Sequence, residues 1–106
     1  MARRARFAII FAPEAIDHLD TIARKYHRLL QQTIDKQLTY TPAEETRNRK
    51  SMLPPAPFDA TWELRCGPEN RFRVLYDVDF EGRTVSVLAI GVKEGNRLLV
   101  AGEEYS

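Results

Sequence analysis

Residues 62–93 read WELRCGPENRFRVLYDVDFEGRTVSVLAIGVK and contain three consecutive strand patterns. The patterns occupy 62–65, 71–78 and 84–93, with a Gly/Pro/Asn turn after the first and Glu81-Gly82 in a tight turn before the last. Short turns between β-rich segments predict an antiparallel sheet. Hydrophobic alternation explains the strands but not the arginines inside them, so we look for function at those arginines.

Side chains alternate between the two faces of a strand, and this alternation assigns the arginines to one face. Matching the apolar sides of the first two strands places Arg65 directly across from Arg73 or one pair away. Like charges in register destabilise a sheet, so the pair requires an anion. Two sources are open: Glu63 and Asp77 of this chain, or a bound anion. We expect Arg73 to be partly exposed on this face.

The same alternation predicts apolar neighbours for the arginines. Leu75, Leu88 and Ile90 fall on the arginine face. Apolar surface of this kind needs a cover, and the C-terminal tail, a second copy of the chain or another protein could each supply it.

The first half of the chain predicts one strand and two helices. Residues 6–11 are β-rich, and Pro13 suits the first turn of a helix. Helical spacing continues to Thr41-Pro42 with a break near 26–28. The loop at 42–60 is rich in proline, and residues 96–100 suit a brief strand at an edge. The apolar stripe of the helices comprises Ala15, Ile16, Leu19, Ile22, Ala23, Tyr26, Leu30, Ile34 and Leu38.

Composition fits one cytoplasmic domain spanning residues 1–106. The chain is 43% hydrophobic and its net charge is +1, so it can bury a modest core and lacks the overall charge of a general nucleic-acid binder. The single cysteine, Cys66, fits a reducing compartment. No apolar run reaches the roughly 18 residues of a membrane span, and we expect neither a signal peptide nor a membrane partner. Arg3, Arg4 and Arg6 are interpreted as a solvated terminus.

The order of strand, two helices, basic loop and three antiparallel strands resembles the RelE/ParE superfamily of toxins from bacterial type II toxin–antitoxin pairs. The resemblance covers residues 7–99. It implies an α+β, RelE-like fold, with a four-stranded, mostly antiparallel sheet and the two N-terminal helices packed on one face. Its motifs are Thr46-Arg47-Asn48-Arg49-Lys50, Trp62-Glu63-Leu64-Arg65, Arg73-Val74-Leu75-Tyr76 and Ile90-Gly91-Val92-Lys93.

Two activities are implied by this resemblance: cleavage of messenger RNA on the ribosome or, as in ParE, inhibition of DNA gyrase without catalysis. An inactive interaction module of the same fold is a third alternative. The implied partners are a cognate antitoxin and, for a nuclease, ribosome-bound messenger RNA with contacts to ribosomal RNA. A homodimer and a toxin–antitoxin hetero-oligomer both stay open.

The resemblance also implies roles for individual residues. Arg73 matches the strand arginine that grips the scissile phosphate, Arg65 and Lys93 match basic positions, and Glu63 is a candidate base. No metal or cofactor is required. The general acid is left unassigned, because no His or Tyr directly follows Lys93 and the only later tyrosine, Tyr105, is near the end of the sequence. Flanking phosphates or ribosomal RNA would contact Arg47, Arg49, Lys50 and Arg71. The antitoxin would place leucines on Leu75, Leu88 and Ile90 and acids on the arginines.

Other side chains with chemical potential are interpreted as structural. His18 is predicted on the polar side of the first helix and His27 near its end, and two histidines without a Cys/Asp cluster do not make a metal site. Cys66, Trp62 and Tyr76 are interpreted as core residues.

Overall fold

The computed structural model describes residues 5–105, so Arg3 and Arg4 lie outside the described range. A short 3-10 turn at Arg24–Tyr26 joins the two helices. The α+β class predicted from the sequence is confirmed. In chain order the elements are β1 (Ala8–Phe11), α1 (Pro13–Asp20), α2 (His27–Leu38), β2 (Arg49–Ser51), β3 (Trp62–Cys66), β4 (Phe72–Asp79), β5 (Thr84–Glu94), β6 (Arg97–Val100) and β7 (Glu103–Tyr105).

The described strands form one seven-stranded sheet in the order β2-β3-β4-β5-β6-β7, with β1 parallel to the first part of β5. All the other pairings are antiparallel. The predicted number of four strands was therefore wrong. The tail supplies β6, which is the brief strand expected at 96–100, and also β7, while the basic loop supplies β2. β2 and β7 have three residues each and are too short to show a clear alternation in the sequence.

The helices pack on one face of the sheet, as predicted. Leu30, Ile34 and Leu38 of α2 are buried against a core that includes Leu64 and Val74. No helix within residues 5–105 is long and apolar enough to cross a membrane.

Helix α1 buries a histidine that the sequence pattern placed on its polar side. His18 is buried together with Ala15, whereas Ile16 on the predicted apolar stripe is 51% exposed. The imidazole Nδ1 accepts a hydrogen bond from the backbone N–H of Ile90 at 3.3 Å. β1 pairs with residues 84–87 of β5, and β6 pairs with residues 92–94 of the same strand. Ile90 lies between these two paired segments, and His18 accepts the hydrogen bond from its backbone N–H there.

A β-bulge in β5 reverses part of the predicted face assignment. Leu75 pairs with Ala89 and Tyr76 with Val87, so Leu88 is the extra residue. After Leu88, each side chain of β5 points to the face opposite the one that strict alternation predicts. Ile90 consequently lies in the helix-side core at 1% exposure, and its predicted place on the arginine face was wrong.

A second, smaller core covers the arginine face of the sheet. Leu75 and Ala89 are buried there against Val100 and Ala60. The loop before β3 and the β6–β7 hairpin provide the rest of this core through Met52, Phe58, Leu98 and Tyr105, with Leu88 also in contact. Among the three covers that the sequence left open, the tail is the one observed.

Candidate functional site

Three adjacent strands bring the four predicted catalytic residues to one face of the sheet. Arg65 on β3 pairs directly with Arg73 on β4, which confirms the predicted opposition of the two arginines. Arg73 in turn pairs with Gly91 on β5, and Lys93 lies two residues further along that strand on the same face. Glu63 lies two residues before Arg65 on β3.

Glu63 is the intramolecular anion between the two arginines. Its Oε1 lies 2.9 Å from Arg65 Nε and 3.8 Å from Arg73 Nε. Asp77, the other predicted counter-ion, instead accepts a hydrogen bond from Thr61 Oγ1 at 2.6 Å. One carboxylate therefore serves two guanidinium groups, and the positively charged Lys93 is a third cation on the same face.

Arg73 is held by the backbone rather than exposed. It is 7% exposed, which corrects the expectation of partial exposure. Its Nη1 donates to the carbonyl oxygen of Asn70 and to that of Phe72 at 3.4 Å. Burial lowers the pKa of Arg73, while Glu63 opposes that shift. The guanidinium is thus fixed in orientation at the floor of the site.

The face opens into a cleft of ≈ 220 Å³ that contains Glu63, Arg65, Arg73, Lys93 and, from the tail, Tyr105. We call it the arginine cleft. A neighbouring cleft of ≈ 340 Å³ shares Arg73 and Lys93 with it and adds Arg71 and one acid, Glu69, so cations outnumber acids there. The two clefts together form a continuous cationic surface along the ends of β4 and β5.

Tyr105 is the functional candidate that the sequence reasoning left without a role. Its ring packs against that of Phe58, with centroids 5.0 Å apart, which holds β7 over the arginine face. The hydroxyl donates to Glu103 Oε2 at 3.1 Å, and this hydrogen bond raises the pKa of Tyr105. The sequence signal was the Ala101-Gly102 turn after residues 97–100, which predicts a hairpin that returns the tail to the sheet.

Side chains of the basic loop point to both faces of the sheet, because successive residues of β2 alternate as in any strand. Lys50 pairs with Glu63 and therefore extends the cationic face at the sheet edge, and Arg47 is exposed. Arg49 pairs with Leu64 and points to the helix side, where it is 6% exposed. Its Nη1 donates to the backbone carbonyls of Gln37 and Thr41. Arg49 thus ties the loop to the end of α2, and we do not carry its predicted contact with phosphates into the proposed function.

The three residues predicted to receive the antitoxin are largely covered by the chain itself. Leu75 is fully buried in the second core, Leu88 is half-buried beside it, and Ile90 lies on the other side of the sheet. The face next to the arginines is consequently less apolar than the sequence suggested.

Other reactive side chains are part of the core. Burial raises the pKa of the Cys66 thiol to about 11, so the thiol stays protonated and is a poor nucleophile. Tyr76 is fully buried, its hydroxyl donates to the Pro42 carbonyl oxygen at 2.6 Å, and burial raises its pKa. Trp62 is half-buried and stacks on Tyr76. In residues 5–105 no three His, Cys, Asp or Glu side chains gather in a metal-binding group.

Comparison with known proteins gives a match in structure but not in sequence. No protein-family model and no curated protein matches the chain. A chain from the crystal structure of the toxin–antitoxin complex RelBE2 of Mycobacterium tuberculosis has a similar fold, with a TM-score of 0.70 and 19% sequence identity. The alignment covers 88% of this chain and 98% of that chain. The likeness is one of fold, and it confirms the RelE-like fold that the sequence motifs implied.

Proposed function

We propose that this protein is the toxin of a type II toxin–antitoxin pair and that it cleaves messenger RNA on the ribosome. The observation that carries the proposal is the arginine cleft, in which Arg65 and Arg73 flank the Glu63 carboxylate and Lys93 and Tyr105 line the same cavity. This local excess of positive charge occurs in a chain whose net charge is only +1. A small, charged cleft with planar guanidinium groups suits a phosphate group.

Cleavage of RNA by its own 2′-hydroxyl needs three contributions. A base removes the proton of the hydroxyl, cations stabilise the charge that develops on the phosphate, and an acid protonates the leaving 5′-oxygen. The new bond from phosphorus to the 2′-oxygen forms as the bond to the 5′-oxygen breaks. Atoms and charges balance without a metal or a cofactor.

The cations of the cleft fit the second contribution. The carbonyl groups of Asn70 and Phe72 fix Arg73 before any substrate binds, which is the preorganisation that electrostatic catalysis requires. Arg65 is more exposed and Lys93 is exposed, so both are accessible to a phosphate that enters from solvent.

Glu63 and Tyr105 fit the two proton transfers. Bound phosphate would compete with Glu63 for the arginines, and the carboxylate would then accept the 2′-hydroxyl proton. The ordinary tyrosine pKa of 10.0 already keeps the phenol protonated at neutral pH, so Tyr105 can donate a proton to the leaving oxygen. The hydrogen bond to Glu103 raises that pKa and makes the phenol a weaker acid until the hydroxyl turns to the substrate. We assign Arg73, Arg65 and Lys93 to the phosphate, Glu63 to the base and Tyr105 to the acid.

Exposed cations outside the cleft would bind the flanking nucleic acid. Arg47, Lys50 and Arg71 are exposed, and the register of Lys50 with Glu63 makes it continuous with the cleft. We propose that these three residues contact flanking phosphates or ribosomal RNA.

An antitoxin partner is supported by the similar chain, which comes from a toxin–antitoxin complex. We propose that acidic side chains of the antitoxin enter the arginine cleft and exclude RNA by occupying the same cations. The apolar anchors that we expected at Leu75, Leu88 and Ile90 are not retained, because these side chains already pack within the chain.

The test is induction of the protein alone in a bacterium while incorporation of labelled amino acids and thymidine is followed. We expect protein synthesis to fall first, with new 5′ ends in ribosome-bound messages, and we expect the double variant Arg65→Ala/Arg73→Ala to abolish both effects. A fall in DNA synthesis with intact messages would instead support gyrase inhibition. Unchanged growth with soluble, folded protein would contradict both toxin activities.

A further inference from the structure

A third cleft, of ≈ 180 Å³, adjoins the cationic surface at the end of the sheet. The segment between the helices lines one side with Ile22 and Tyr26, and the ends of β4 and β5 line the other with Arg71, Phe72 and Glu94. We call it the Tyr26 cleft. None of these residues except Arg71 has a role in the proposed cleavage.

Arg71 connects the Tyr26 cleft to the cationic surface. The same side chain also lines the ≈ 340 Å³ cleft that contains Arg73 and Lys93. Its guanidinium carbon lies 6.0 Å from the centroid of the Tyr26 ring and 5.6 Å from that of Phe72. An anion on the Arg71 guanidinium would thus lie between the arginines and an aromatic cleft.

The Tyr26 ring is held in one orientation beside these charges. It is half-buried and packs edge-on against Phe72, with centroids 5.1 Å apart and the rings at 61°. Lys25 Nζ lies over the ring face, 5.1 Å from its centroid, and because this side chain is exposed it can turn aside when a base stacks there. A fixed aromatic ring next to cations is the usual platform for a base of single-stranded nucleic acid, because every base has a face that stacks.

We propose that the Tyr26 cleft binds the base of the nucleotide next to the reacting phosphate. This inference rests on the proposed function and adds a base-binding subsite to it. Arg71 binds the phosphate of that nucleotide, and the base stacks on Tyr26. The Glu94 carboxylate accepts hydrogen bonds but donates none, so it favours the amino group of cytosine over the carbonyl group of uracil.

The test measures binding of the full-length protein to short single-stranded RNAs that carry a 2′-deoxy sugar at the attacking position, which prevents cleavage. The flanking position holds cytosine, uracil or an abasic sugar. We expect Tyr26→Ala to weaken binding of the cytosine RNA by about tenfold. Against the abasic RNA, the variant and the wild-type protein should bind equally, because the two changes remove the same contact. Glu94→Gln should remove the preference for cytosine over uracil.

Two further variants separate the base contact from packing. Tyr26→Leu keeps apolar contact with Phe72 but lacks the aromatic face, so it should lose the same affinity while its melting temperature stays near that of the wild type. Tyr40→Ala removes an exposed tyrosine that lines none of these three clefts and should leave RNA binding unchanged.

The outcomes distinguish this subsite from the cleavage activity. Equal affinity of the wild-type protein for cytosine and abasic RNA would overturn the subsite and leave cleavage untouched. Base-dependent binding without any cleavage on the ribosome would uphold the subsite and overturn the proposed reaction. A complete lack of binding to these free RNAs would overturn the subsite, and the induction experiment would still decide whether messages are cleaved on the ribosome.

Discussion

Arg65 and Arg73 face each other across β3 and β4, and one carboxylate oxygen of Glu63 lies 2.9 Å from the first Nε and 3.8 Å from the second. Like charges at opposed positions of a sheet repel, and a single carboxylate offsets only part of that repulsion. The fold therefore keeps a cationic pair that is better satisfied when an additional anion binds. A phosphate of RNA and an acidic side chain of a partner are the two anions that the proposed function supplies.

Substitution of Glu63 tests this balance of charge. Glu63→Gln should lower the free energy of unfolding by on the order of 1–3 kcal/mol, because the amide oxygen still accepts a hydrogen bond but two arginines lose their shared negative charge. The low end of this range applies, since Arg65 is 40% exposed and solvent screens its charge. Melting in increasing salt or phosphate should recover part of the loss by screening the repulsion or occupying the site. A loss that is insensitive to both would contradict the charge argument.

Arg73 should be required for catalysis more than for folding. Arg73→Ala should reduce cleavage of ribosome-bound message by on the order of 10²–10³-fold, as expected for loss of a transition-state cation. Arg73→Lys keeps the charge but loses the planar fork, so it should recover only part of the rate. Arg83→Ala, at an exposed turn position before β5, is the matched control and should cleave normally. A folded and fully active Arg73→Ala protein would remove this assignment.

The two arginines of the basic loop should behave in opposite ways. Arg49→Ala leaves the partly buried carbonyl groups of Gln37 and Thr41 without this donor and should cost about 1–3 kcal/mol of stability. Arg47→Ala changes an exposed residue and should alter stability by no more than about 0.5 kcal/mol while weakening ribosome binding. Thermal melting and sedimentation with ribosomes measure the two effects. Equal melting temperatures for both variants would argue against a structural role for Arg49.

His18 should make stability depend on pH below neutrality. Burial lowers its pKa from the usual 6.5, and the nearby Asp17 and Glu14 carboxylates oppose that shift. The unfolded state therefore takes up the proton first, so the contribution of neutral His18 is complete above about 6.5 and is lost as the pH falls toward the lower folded-state value. His18→Asn retains an acceptor for the Ile90 N–H but does not titrate, so its melting profile should be flatter below pH 6.5. His27→Gln is the control, and an unchanged slope in His18→Asn would assign the dependence to another group.

The sequence determines those parts of the site that follow from strict alternation. Arg65, Arg73 and Glu63 share a face because β3 and β4 are regular between residues 62 and 75, and their register could be deduced. Ile90 could not be placed, because the bulge at Leu88 leaves no mark in the hydrophobic pattern of β5. Arg49 was misplaced for a related reason: a three-residue strand within a proline-rich loop shows no period from which its face can be inferred.

Tyr105 supplies the sharpest test of the proposed chemistry, because Tyr105→Phe differs from the wild-type protein only in the hydroxyl group. Tyr105→Phe keeps the ring against Phe58 and should melt like the wild type, yet it should reduce cleavage by on the order of 10²-fold through loss of the acid. Tyr105→Ala also removes the contact that holds β7 over the cleft and should lower stability as well. Because the Glu103 hydrogen bond raises the pKa of the phenol above its ordinary 10.0, the wild-type rate should lose the acid only in more alkaline solution than that. Glu103→Gln should bring that loss to lower pH. A normal cleavage rate for Tyr105→Phe would show that the leaving oxygen takes its proton from another donor.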